Sequence, residues 1–337
     1  MQDGRFGVNQ VAPLVKENCV AVAINGHMLY WLAKTDGADG EFIKANRHPS
    51  GGNCFVLTTP SGTKLAGGNG GGGAREALNS GLKNWKLLTD EERKALPPGK
   101  EVKPPEAERC TPPPGGLILR SFARNLKKDG GELARITRED LKDRELYPGW
   151  APVYAEPAHF NVWFTEAEWK SLVPAEPRKG VTFPVLDAIQ KRLFRYHLVN
   201  GTFGLPGTWS REQIRTGTLT LTVEEVAPVV RMRLQGAALL TTDADPVKAQ
   251  RGYDARLDGR LTYDPQKKAF TRFDVVATGD YWGGDYEGGR FKRPGRTPLG
   301  ISFELVRDDN AIDRVPPLVH MDREQPYRAY FAAEKLR

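Results

Sequence analysis

Tyr253-Asp254-Ala255-Arg256-Leu257-Asp258-Gly259-Arg260-Leu261-Thr262-Tyr263 alternates apolar and polar residues along most of its length. A period of two is the mark of a strand whose side chains point to opposite faces. Apolar on one side and polar on the other describes an antiparallel sheet with one wet face. The same period extends in both directions. Upstream, Leu219, Leu221 and Val223 alternate with Thr220 and Thr222, and Val230, Met232 and Leu234 alternate with Arg231, Arg233 and Gln235. Downstream, Asp264-Pro265-Gln266-Lys267-Lys268 reads as a loop. Ala269, Phe273, Val275 and Ala277 continue on a return strand, and Ile301, Phe303 and Leu305 close the pattern. A twisted meander of five or more strands is expected. Asp254, Arg256, Asp258, Arg260, Arg272 and Asp274 then form a charged ladder on the outer face. Such ladders contribute tenths of a kcal/mol and serve solubility, or offer a polar ligand-binding surface.

Ahead of this meander, residues 117–126 read as a further strand. Thr165-Glu166-Ala167-Glu168 has the capping-box pattern and opens a helix carrying Trp169 and Leu172. Pro184 suits the first turn of a second helix with Leu186, Ile189, Leu193 and Tyr196, ending at Asn200-Gly201. These two helices are expected to cover the apolar side or one end of the sheet, giving an α+β domain over 116–320. Residues 321–337 read as a C-terminal tail. Pro97-Pro98, Pro104-Pro105 and Pro112-Pro113-Pro114 make 97–115 a semi-rigid Pro-rich linker.

The front block, 1–96, reads as α/β. Val11, Leu14 and Val15 fall at helical spacing. Cys19-Val20-Ala21-Val22-Ala23-Ile24 is a continuous apolar run of strand length. Asn53-Cys54-Phe55-Val56-Leu57-Thr58-Thr59, a turn at Pro60-Ser61-Gly62 and a return at 63–66 make a hairpin. Leu78, Leu82, Trp85 and Leu88 share one face of a helix over 74–88. The intervening 67–73 is Gly-rich. It precedes a helix, but Ala74-Arg75 stands where a phosphate-binding loop needs Lys and Ser or Thr. It reads as a floppy connection.

Composition narrows the function. A chain of 337 residues favours two domains, and its 14 Phe, 10 Tyr and 7 Trp supply real cores, which excludes global disorder. No apolar run approaches a membrane span. Three cysteines, Cys19, Cys54 and Cys110, exclude a disulfide-stapled scaffold and an all-cysteine four-ligand zinc site. The net charge of +7 is spread along the chain, so nucleic acid is a poor fit. The nearest basic group is Arg290, Lys292, Arg293 and Arg296, which reads as a solvated loop.

Two groups of residues are candidates for chemistry. Asp280-Tyr281-Trp282-Gly283-Gly284-Asp285-Tyr286, followed by Arg290, sets aromatics between flexible glycines and acids. Asp280, Tyr281, Trp282, Tyr286 and Arg290 could form a ligand platform, for a polysaccharide or a protein. His159 and His197, with a carboxylate such as Asp280, are the candidate metal or acid–base site, although no HxH, HxxxH or HExxH spacing occurs. His197 would end the second helix, where a cationic histidine suits the dipole. No GxSxG and no CxxC is present, and no cofactor is expected.

The front block resembles part of a thioredoxin-like domain. Asn18-Cys19-Val20-Ala21-Val22-Ala23-Ile24-Asn25, then the stretch from Asn53 to Leu65, then a helix with Leu82-Lys83-Asn84-Trp85, follow that family's order over about 85 residues. The family's redox motif has no counterpart: Asp3-Gly4-Arg5-Phe6-Gly7 is not CxxC, and Gly51-Gly52-Asn53-Cys54 lacks the facing proline. None of its catalytic residues can be carried over. The resemblance implies a redox-inactive module. The second block, through residues 253–263 and 270–280, is similar to exported bacterial proteins. That similarity implies a periplasmic or extracellular protein whose signal peptide lies outside this sequence. A binding or structural role is the leading expectation, and an enzyme using His159, His197 and acids is the alternative.

Overall fold

In a computed structural model, residues 8–22, 38–46, 54–69, 74–95, 112–137, 139–141, 154–202, 207–283, 295–307, 311–314, 316–317 and 330–331 are described. The chain divides into two compact units, Met1–Arg109 and Cys110–Arg337, and the division falls within the Pro-rich stretch. Helix and strand are mixed, the helices are few, and the sheets are antiparallel. Among the described residues no helix is long and apolar enough to cross a membrane.

The first unit contains helices α1 (Val8–Asn18), α2 (Ala38–Asn46) and α3 (Ala74–Leu87), and a hairpin of β1 (Cys54–Thr58) and β2 (Lys64–Asn69). The amide of Asn46 ties α2 to the hairpin turn by donating to the Gly62 carbonyl at 3.0 Å. Helix α3 comes down on the hairpin at Gly81, where a Cβ would stand 2.5 Å from Leu57 Cδ2, so only glycine fits. Two expectations are corrected. Residues 19–22 form no strand, and Val20 and Val22 are 91% and 72% exposed. A short apolar run carries no period that could separate a buried strand from an exposed segment. Residues 23–24 lie outside the described residues. Gly67 and Gly68 are not floppy: they extend β2, paired with Val56 and Phe55. Ladder bonds come from the backbone, so the absence of side chains does not prevent them.

The second unit is a nine-stranded antiparallel sheet. Its strands are β3 (Leu117–Asp129), β4 (Glu132–Arg135), β5 (Ala158–Phe164), β6 (Thr182–Pro184), β7 (Ile214–Glu225), β8 (Val230–Thr241), β9 (Gly252–Asp264), β10 (Ala269–Trp282) and β11 (Thr297–Leu305). Strands β6 to β11 run in order as a meander, and β3 pairs with β11, β5 and β4. The alternating residues Leu219, Leu221, Val223, Met232, Leu234, Leu257, Leu261, Phe273 and Val275 all point into one core. Phe164 on β5 and Phe273 on β10 are three strands apart, roughly 14 Å in a flat sheet, yet their ring centroids lie 6.3 Å apart. The sheet therefore curls. Its concave side is filled by Trp169, Leu172, Ile189, Leu193, Phe194 and Trp209.

Helix α4 (Glu166–Lys170) begins with the expected capping box: Thr165 Oγ1 accepts from the Glu168 N–H at 3.3 Å, and Glu168 Oε2 accepts from the Thr165 N–H at 2.8 Å. Trp169 then donates from Nε1 to the Gly115 carbonyl at 2.9 Å, pinning the end of the Pro-rich stretch. The second helix differs from expectation. Pro184 ends edge strand β6, paired with Thr220, where its missing donor costs no ladder bond. The helix, α5 (Asp187–Arg192), starts later and runs into a π-helical turn, Leu193–His197. Of the segment 321–337 only residues 330–331 are described, and Tyr330 is fully buried against Trp163 and Tyr196.

Candidate functional site

The outer face of the sheet has two distinct halves. Over β7 to β10 it carries the expected ladder. Arg233 pairs with Asp258 at 2.8 Å and Arg272 with Asp274 at 2.6 Å. Arg231 pairs with Glu225 and Arg260 with Glu224. Hydrogen bonding to Asp258 raises the Arg233 guanidinium above its ordinary value, and the same contact lowers Asp258.

Over β10, β11 and β3 the alternation brings different residues outward. One row across the strands is Val276, Ser302, Phe122 and His159, and the next is Thr278, Gly300 and Arg124. Small residues on β11 thus lie between larger ones on both neighbours. The result is an open groove of about 330 Å³, lined also by Leu126 and Pro157. Val276 is 46% exposed. His159 braces the Phe122 wall, with ring centroids 5.0 Å apart and planes 21° from parallel. Burial pulls the His159 pKa down, Arg120 adds to this, and Asp313 opposes it, so the ring is neutral at pH 7.

Ion pairs lie on either side of the groove. In the row on one side, Arg120 makes a two-pronged pair with Asp313, 2.6 Å on each side, and approaches Glu304 at 3.6 Å. That contact raises Arg120 and lowers Asp313. Beyond the other side, Lys128 stands 3.7 Å from Asp280. Arg124, between them and half-buried, has no hydrogen-bond or ion-pair partner among the described residues.

The expected platform is not assembled as such. Asp280 is half-exposed, opposite Asp254 in the register and beside Lys128. Tyr281 and Trp282 are corrections: they are 1% and 7% exposed. Tyr281 points into the core between Tyr253 and Trp209, with ring centroids at 5.6 and 6.4 Å. Trp282 donates from Nε1 to the Ala249 carbonyl at 3.0 Å, and its ring fills the space over Gly252, where a Cβ would stand 2.0 Å away. Arg296 caps that ring at 4.0 Å. Tyr286, Arg290, Lys292 and Arg293 lie outside the described residues.

His159 and His197 form no joint site. Among the described residues no three of His, Cys, Asp and Glu gather where they could hold a metal ion. His197 is sealed in the interior. Tyr330 accepts from the Trp163 N–H at 3.2 Å and hydrogen-bonds His197 Nε2 at 2.7 Å. Burial, and secondarily the charge of Arg192, pushes His197 down to about 3. Arg192 itself is buried, paired with Glu168 at 2.6 Å and stacked 5.0 Å over the Tyr330 ring. Within the described residues this cluster is closed by packing: His197 is 4% exposed and Tyr330 is fully buried.

The sequence reading missed the groove residues Phe122, Arg124, Val276, Thr278, Gly300 and Ser302. A signal was present: the charged outward positions of β9 give way to Val276 and Thr278 on β10 and to Gly300 and Ser302 on β11. Comparison with protein-family models, curated proteins and solved structures finds no match to this chain.

Proposed function

We propose that this is a binding protein whose working surface is the outer face of the sheet in Cys110–Arg337. One observation carries this reading: an apolar groove opens in a face that is otherwise polar, with ion pairs over β7 to β10. A solvated face gains nothing from exposing Phe122, Leu126 and Val276 together, and apolar exposure ringed by polar residues is the usual form of a contact surface. Of the expected platform, Asp280 stands half-exposed on the described part of the same unit. The concave side is filled by side chains, apart from a cleft of about 590 Å³ lined by Trp169 and Phe270 at its edge. The enzyme alternative loses support, because His197 is sealed and His159 is a neutral ring stacked on a wall of the groove.

In this reading the front unit is a redox-inactive thioredoxin-like module, supported by its hairpin and the helix packed on it. Export rests on the similarity of the second block to exported bacterial proteins, and cell fractionation tests it. The binding surface is tested with a neutral fluorescent probe, N-phenyl-1-naphthylamine. Saturable binding at one site per chain is expected, weakened tenfold or more by Val276→Glu. Absence of saturable binding, or binding indifferent to Val276→Glu, overturns the proposal.

A further inference from the structure

The groove selects a charge as well as an apolar body. Its central basic residue, Arg124, is half-buried and has no partner among the described residues. Elsewhere on the outer face Arg120, Arg231, Arg233, Arg260 and Arg272 all have carboxylates. Arg256 also lacks one, but it is exposed and fully hydrated. A guanidinium taken partly out of water loses hydration that a paired carboxylate would restore. The nearby carboxylates are already engaged: Asp313 and Glu304 with Arg120, and Asp280 with Lys128. No carboxylate among the described residues supplies its counter-charge.

The walls define the rest of the ligand. Phe122 is stacked on the His159 ring, Val276 and Thr278 stand opposite, and the Leu126 side chain lies over Gly300, its Cδ1 2.9 Å from where a Cβ would be. A volume of about 330 Å³ is at the small end of ligand sites. It suits a flat apolar group, and a guanidinium at its side suits a carboxylate held by two parallel hydrogen bonds. We infer that the groove binds small aryl carboxylates, with Arg124 pairing the carboxylate and Phe122 and Val276 enclosing the ring. This rests on the reading of the outer face as the binding surface.

Calorimetric titration of the full chain with 2-naphthoate and its neutral isostere 2-naphthamide, at low salt and pH 7.5, tests it. Naphthoate is expected to bind at least tenfold more tightly. Arg124→Gln should erase that preference, chiefly by weakening naphthoate binding, and Val276→Glu should weaken both. Arg307→Gln is the control, because Arg307 lines a separate cleft of about 590 Å³ with Trp169 and Phe270, and it should change nothing. Equal affinity for the two compounds, or a preference that survives Arg124→Gln, overturns the aryl-carboxylate assignment while leaving the binding surface standing. No binding of either compound overturns both. Loss of the preference in Arg307→Gln alone moves the site to the other cleft and overturns this one.

Discussion

The two halves of the outer sheet face are built on the same backbone and the same alternation, yet they solve the problem of contact with water differently. Over β7 to β9 the outward positions are mostly threonines and charged residues, and Arg231, Arg233 and Arg260 each pair with a carboxylate. Over β10, β11 and β3 the outward positions are Val276, Thr278, Gly300, Ser302, Phe122 and Arg124, and charges pair only to the sides of them. The difference extends to what lies on the two halves. On the groove half Asp313 reaches back to Arg120, and Tyr330 closes over Trp163 beside β5. On the ladder half the described outward contacts are surface ion pairs and threonine hydrogen bonds. A face needed only for solubility would be uniform, so the half that departs from uniformity is the half to test.

The largest expected effect is at the seal beside the groove. Tyr330→Ala removes a fully buried aromatic ring and should destabilise the second unit by about 3–5 kcal/mol, read by denaturant melting. It also leaves the Trp163 N–H and His197 Nε2 without the hydroxyl they share. A loss below about 1 kcal/mol would mean that the C-terminal segment is dispensable. Next is the pair beneath the groove. Asp313 is 2% exposed, and Asp313→Asn should cost about 1–3 kcal/mol by weakening charged hydrogen bonds to Arg120. The matching change on the ladder half, Asp258→Asn, breaks an exposed pair and should cost under about 0.5 kcal/mol. Equal costs for the two would erase the contrast.

The histidines give a pH signature. His197, at about 3, and His159, also lowered, hold fewer protons when folded than when unfolded below the ordinary histidine value of 6.5. Stability contributed by their neutral forms is complete above about 6.5 and is lost as the pH falls below it. Asp313 has a separate window: a lowered carboxylate loses its contribution only as the pH drops below about 4. Thermal melts between pH 7 and pH 4.5 should therefore show a falling midpoint, and His197→Gln should flatten that slope. A slope of the same size in His197→Gln would remove His197 as its source.

The meander was legible because its strands are long and wet on one side, so period two repeats from Leu219 to Leu305. The capping box at Thr165 was legible because it is a local contact. The nine-strand extent was not. Strand β5 reads as continuous apolar sequence from Val162 to Phe164, since its outward Trp163 is covered by Tyr330 from far along the chain. The same distance effect hid Tyr281 and Trp282. Both stand next to Gly283-Gly284 and read as a loop, but the register with Tyr253 and Gly252 extends the ladder through them and buries both. The groove was half-legible. Its small residues are visible on β11, but their placement between Phe122 and Val276 depends on β3 joining β11, a pairing across more than 170 residues that no local pattern announces.

Amide chemical-shift mapping on the full chain during titration with 2-naphthoate tests the division of the face most directly. If the groove is the binding surface, the largest shifts fall at Phe122 and Arg124 on β3, Val276 and Thr278 on β10, and Gly300 and Ser302 on β11, while Arg233 and Asp258 stay still. Shifts centred on the ladder, on Trp169 and Phe270, or spread evenly over the face would contradict it.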